Sequence, residues 1–109
     1  MAITSTQSKQ GVAVNMAVGR YITTGTAAAF TITTGFKPRY VLVVNLAATG
    51  DRHEWFEGMA AASARKQVTA GDMTLITTLG ITVSANGFTV GLDTDLNVTS
   101  EQLSWLAIG

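Results

Sequence analysis

The single histidine, His53, sits among carboxylates in the run Asp51-Arg52-His53-Glu54-Trp55-Phe56-Glu57. An imidazole beside carboxylates is raw material for acid–base catalysis or for a metal site. The spacing argues against both. A zinc site takes three or four ligands, and strand alternation sends His53 and Glu54 to opposite faces. His53 is therefore expected on a polar edge strand or at a contact between subunits. A second constellation, Asp93-Thr94-Asp95-Leu96-Asn97, has the D-x-D-x-N spacing that opens a calcium loop. The glycine and the late bidentate glutamate of such a loop are missing, so Asx-type turn chemistry is expected instead. There is no G-x-S-x-G elbow and no G-x-x-x-x-G-K-[ST] phosphate loop. With no cysteine, thiolate nucleophiles, thiolate metal sites and disulfides are excluded. The sequence thus predicts no catalytic residue, no cofactor and no metal.

The elements that must carry these residues read as strands. Thr, Val and Ile recur in alternating runs with glycine-containing turns between them. Residues 1–11 are polar and read as a flexible or docking arm, leaving 12–109 as a single β domain. Val12 to Val18 and Arg20 to Thr23 open the domain, and Ala28, Phe30 and Ile32 alternate with Ala29, Thr31 and Thr33. Tyr40-Val41-Leu42-Val43-Val44-Asn45-Leu46 is the strongest strand. Both of its faces are apolar, so it belongs at the centre of a sheet or against a partner. Met59 to Val68 is rich in Ala, Arg, Lys and Gln and reads as loop with a helical turn. Met73 to Thr77 and Ile81 to Ser84 are separate strands, and Asn86-Gly87 predicts a type I′ hairpin into Phe88 to Leu92. Ile81, Val83, Phe88, Val90 and Leu92 should share one buried face. Asp93 to Ser100 is a polar loop and Leu103 to Ile108 a closing strand. The fold class is all-β, a sandwich or jelly-roll-like barrel of about seven to eight antiparallel strands.

Composition narrows the function. Charged residues make up 13% of the chain, and seven basic balance seven acidic side chains. A typical soluble domain has about 25%. A surface this poor in charge suits a chain partly covered in an assembly. No basic stripe supports phosphate neutralisation, so nucleic acid is not an expected partner. The uncharged stretch from Met73 to Leu92 is interrupted by Thr, Ser, Asn and Gly, and reads as strands rather than a membrane span. Trp55 and Phe56 are adjacent, so in a strand one of them must leave the core and is free to anchor an interface. Six of the fourteen charged residues lie between Lys37 and Glu57, with mixed signs that suit self-association. The candidate interface is Arg39, Arg52, His53, Glu54, Trp55, Phe56 and Glu57.

Gly35-Phe36-Lys37-Pro38-Arg39-Tyr40-Val41-Leu42-Val43-Val44-Asn45, Glu54-Trp55-Phe56-Glu57-Gly58-Met59-Ala60, Gly87-Phe88-Thr89-Val90-Gly91 and Leu103-Ser104-Trp105-Leu106-Ala107 are the phrases that carry a resemblance. They resemble small virion structural proteins of tailed bacteriophages, over roughly residues 20–109. The resemblance implies a homo-oligomer, trimeric by analogy, with a major capsid protein or another virion protein as partner, in particles assembled in the host cytoplasm. Capsid decoration (a cement protein) is favoured because the chain is short and shows no fibre shaft, and the polar arm would grip the shell. The alternative is a tail fibre or receptor-binding module, with Trp55 meeting a glycan or host protein. A carbohydrate-binding accessory domain of an enzyme is a further class.

Overall fold

The structure, a computed structural model of the 109-residue chain, describes residues 15–47, 50–68 and 71–109. The expected arm, residues 1–11, and residues 12–14 of the expected first strand lie outside the described residues. Eight strands form: β1 (Met16–Ile22), β2 (Phe30–Thr33), β3 (Tyr40–Asn45), β4 (Arg52–Phe56), β5 (Ser63–Gln67), β6 (Met73–Ser84), β7 (Gly87–Val90) and β8 (Gln102–Ile108). They make one antiparallel sheet in the order β1-β8-β3-β4-β5-β6-β7-β2. The sheet curls into a half-barrel, with no helix among the described residues, so the fold is all-β as expected.

Period two decides what goes inside. Val41 and Val43 of β3 point inward with Trp55 of β4, Ala64 of β5, Ile81 of β6, Phe88 and Val90 of β7, and Leu103 and Ala107 of β8. Leu96, from the loop before β8, closes the core from one end. Phe88 meets Trp105 edge-on at 5.4 Å, which ties β7 across the interior to β8. The outermost strands, β1 and β2, are linked by Tyr21 stacked on Phe30, with ring centres 3.7 Å apart. That contact replaces the hydrogen bonds that would close a full barrel.

Several expectations change. Met59 to Val68 contains strand β5 rather than a helical turn, because pairing with β4 and β6 outweighs weak helix propensity. The two strands expected around Gly80 are one long β6, interrupted where Leu79 takes a φ of 61° and the register on β5 jumps from Ser63–Ile81 to Ala64–Ile76. The hairpin near Asn86 is present, but Ser84 pairs with Gly87 and the loop is Ala85-Asn86, with no positive φ at either. Gly87 serves packing instead: a side chain there would run into the Ile32 carbonyl of β2. Ile81, Val83, Phe88 and Val90 share the inner face as predicted, while Leu92 lies beyond the strand and is 37% exposed.

Gly19 on β1 faces inward beneath the Trp105 indole, and a Cβ there would overlap the ring. Gly19→Val should therefore cost about 1–3 kcal/mol by overpacking. Thermal unfolding should shift down by roughly 4–8 °C for each kcal/mol. An unchanged midpoint would show that the indole does not lie over this glycine.

Candidate functional site

β4 is the fourth strand of the eight in sheet order, so it is central and not an edge. Its alternation splits the expected interface residues between two faces. His53 is fully buried and Trp55 is 7% exposed, whereas Arg52, Glu54 and Phe56 face outward. His53 is thus a core residue instead of an edge or contact residue. Trp55 donates its indole N–H to the Ala60 carbonyl at 3.2 Å, and Phe56, 44% exposed, is the aromatic that leaves the core. Arg39 and Glu57 lie at the same end of the sheet, where the Glu57 amide donates to the Arg39 carbonyl at 2.8 Å. The outward residues Arg52, Glu54 and Phe56 therefore form one surface, and the inward pair belongs to another system.

That other system is a buried polar knot. The Asp93 carboxylate, at the start of the loop after β7, accepts from His53 Nε2 at 2.8 Å. It also accepts from the Lys66 ammonium at 2.9 and 3.1 Å, and from the Asp95 amide at 3.0 Å. Lys66 comes from β5 and also reaches Asp95 at 2.6 Å. An ionised carboxylate only accepts, so Nε2 carries the histidine proton. His53 Nδ1 is then a lone pair without a partner among the described residues. The Asp93–Asp95 bond is the Asx turn that the sequence predicts. The carboxylates of D-x-D-x-N serve a lysine and a histidine, and the Asn97 amide donates to the Ala28 carbonyl at 2.8 Å. Among the described residues no group of acidic and imidazole side chains is placed to hold a metal ion. Sequence reasoning missed Lys66 because its segment reads as helix or loop. It also missed that Asn45, at an inward position of β3, is buried and ties the sheet to the Leu96 carbonyl at 2.9 Å.

The knot has a definite charge state. Burial pushes His53 below its ordinary 6.5, more strongly than the bond and charge of Asp93 raise it. It is neutral at pH 7. Burial alone would raise Asp93, but the Asp95 amide, Lys66 and His53 outweigh it and hold the carboxyl below 3.8. Burial would lower Lys66, but Asp95 and Asp93 outweigh it and keep the ammonium above 10.5. On the outer face, burial and the 2.7 Å bond to Glu54 push Tyr40 up to about 12. Two clefts open nearby. One, about 310 Å³, exposes the Trp55 edge between Lys37, Glu57 and Met59. The other, about 340 Å³, is lined by Thr26, Leu92, Asn97 and Thr99.

The outer surface is the more exposed system. Cross-strand partners place Val18, Leu106 and Leu42 in one row, and Met16, Ile108, Tyr40 and Phe56 in the next. Val18 is 71% exposed and Met16 60%. No family model, no curated protein and no solved structure matches the chain.

The linkage signs fix the pH profile. The stability contributed by neutral His53 is full above 6.5 and declines as pH falls below it. The Asp93 contribution is full above 3.8 and is lost as pH falls through its lowered value. The Lys66 contribution is full below 10.5 and is lost above it. Stability should be level between those limits, with a first decline just below pH 6.5 that is absent from His53→Gln. Denaturant titration across pH checks this, and a wild-type profile flat down to pH 4 would refute it. Asp93→Asn leaves the Lys66 ammonium with Asp95 as its only carboxylate among the described residues and removes the acceptor of His53, and should cost about 1–3 kcal/mol at pH 7, measured by the same titration.

Proposed function

We propose that this chain is a structural component of a tailed-bacteriophage virion, a decoration protein that binds the head and stabilises it by surface contact. The observation that carries the reading is the outer face of β1 and β8. Met16, Val18 and Ile22 are 60%, 71% and 52% exposed on a strand that has a sheet neighbour on one side only. An edge strand with apolar side chains and an open backbone row invites pairing or covering by another chain. Lys, Pro or bulges would normally blunt such an edge, and β1 offers only Arg20.

The rest of the chemistry supports the same use. His53, Asp93 and Lys66 hold one another inside the fold, and Trp55 is tied to the Ala60 carbonyl. The residues that reach solvent on the convex side of β1 and β8 are mostly aliphatic, with Arg20 the one charge. On a shell, many copies each gaining a modest contact resist outward pressure together, because neighbours hold each copy at high effective concentration. The resemblance to small virion proteins supplies the identity of the shell, and the exposed face supplies the means of holding it.

Sedimentation with purified phage heads and tails tests the proposal. The chain should pellet with heads. Val18→Asp should weaken head binding at least about ten-fold, since a carboxylate would be buried unpaired. Its melting temperature should stay close to that of the parent, because Val18 is already largely exposed. Pelleting with tails alone, or with neither, would overturn the assignment.

A further inference from the structure

The middle of the convex face has a pattern that the edge does not. Register places Leu42 of β3, Glu54 of β4, Arg65 of β5 and Leu75 of β6 side by side in one row. The adjacent row is Val44, Arg52, Gln67 and Met73. Both rows face outward, opposite to Val43, His53 and Lys66. Both read apolar, polar, polar, apolar, and β4 and β5 are the two central strands of the eight. Leu75 is 69% exposed and Met73 43%. The ion pairs that Lys66 makes with Asp93 and Asp95 involve neither Glu54 nor Arg65. The Arg52 Nε is buried and has no acceptor among the described residues.

We propose that this central face binds the same face of a second copy about a two-fold axis that runs parallel to the strands, between β4 and β5. That operation keeps each row at its own height and exchanges left for right. Glu54 then lies over the second copy's arginine from β5, and Arg65 over its glutamate, making two ion pairs. Leu42 meets leucine from β6, Val44 meets methionine, and Arg52 gains a glutamine side-chain oxygen as a candidate acceptor for its Nε. A two-fold perpendicular to the strands and through the Glu54 row would set glutamate against glutamate and arginine against arginine. One midway between the rows would pair Glu54 with the second copy's Arg52 and leave Arg65 over glutamine; Arg65→Glu and the mixing experiment below separate that arrangement from this one. The convex curl limits contact to the crest, so β1 and β8 stay open for the head. The crest spans roughly 19 by 17 Å at ordinary strand spacing and rise. That is well under the ~800 Å² per partner of a standard interface. The dimer is therefore weak in isolation, with a Kd on the order of 10–100 µM, and is reinforced where copies are held side by side.

The inference deepens the proposed structural role by naming one of its partners, a second copy. It replaces the three-fold arrangement that the resemblance implies with a two-fold one. Sedimentation equilibrium of the full chain up to about 1 mM tests it. The parent should dimerise, and Glu54→Arg alone and Arg65→Glu alone should each weaken the dimer at least about ten-fold. An equal mixture of the two variants should dimerise again, because each supplies the charge that the other lacks. Leu75→Asp, which leaves the Tyr40–Glu54 bond intact, should weaken the dimer as well. Circular dichroism should show all variants folded, since these side chains lie outside the core. A parent still monomeric at 1 mM, or a mixture that behaves like its components, overturns the two-fold contact. A monomer that still binds heads would sink the dimer alone. A dimer that binds no particle would sink the virion reading alone.

Discussion

One buried negative charge organises the open end of this half-barrel. Asp93 is 6% exposed, and a carboxylate at that depth is tolerable only if donors surround it. Four donor contacts do so, from three places in the chain: His53 on β4, Lys66 on β5 and the Asp95 amide in its own turn. The loop after β7 is thereby fixed over the end of the sheet, which is what buries Leu96 and Asn97. Replacing the knot by apolar side chains of similar volume could leave the fold as stable. What the polar version adds is direction. Asp93 can satisfy His53 and Lys66 together in one loop position, whereas an apolar plug would tolerate several.

The knot also explains where the charge of a poorly charged chain has gone. Lys66, Asp93 and Asp95 are committed to one another. Glu101 accepts from Asn45, and Glu54 accepts from Tyr40. The centre of the convex surface is left with Glu54 and a few guanidinium groups among Leu, Val, Met and Thr. A monomer can carry single exposed apolar residues at little consequence, but rows of them across adjacent strands are characteristic of contact surfaces. The internal demand for charge and the external shortage are two sides of the same allocation.

Legibility followed the range of the interactions. The strand Tyr40–Asn45 and the hairpin from Ile81 to Val90 were readable because period-two alternation is local. The divergence of Trp55 and Phe56 was readable for the same reason. Strand β5 was not, since Ser63-Ala64-Arg65-Lys66-Gln67 carries no β-branched or aromatic residue, and its conformation is imposed by β4 and β6. The partner of His53 lies forty positions away, so no local spacing could reveal it. The carboxylates beside His53 in sequence misled, because the one that bonds it comes from another loop. The inward Asn45 was visible as a polar residue ending an apolar run, but only the folded loop shows that its amide reaches Leu96.

The two exposed systems on the convex side differ in what they can specify. Apolar rows on β1 and β8 supply attraction but little register, since a leucine accepts many neighbours and a strand edge accepts a slipped one. Charges do the reverse. An exposed ion pair contributes at most about 1 kcal/mol, yet placing like charges together costs enough to reject a wrong orientation. Glu54 and Arg65 sit at the sheet centre, flanked by Leu42 and Leu75, so the weakly attractive and the strongly selective groups occupy one row. A surface that were apolar throughout would associate in many ways and precipitate. A surface that were charged throughout would stay apart. Alternating the two across four strands gives a contact that is weak alone and restricted to the few arrangements that bring opposite charges together, which is what a repeated lattice of copies requires.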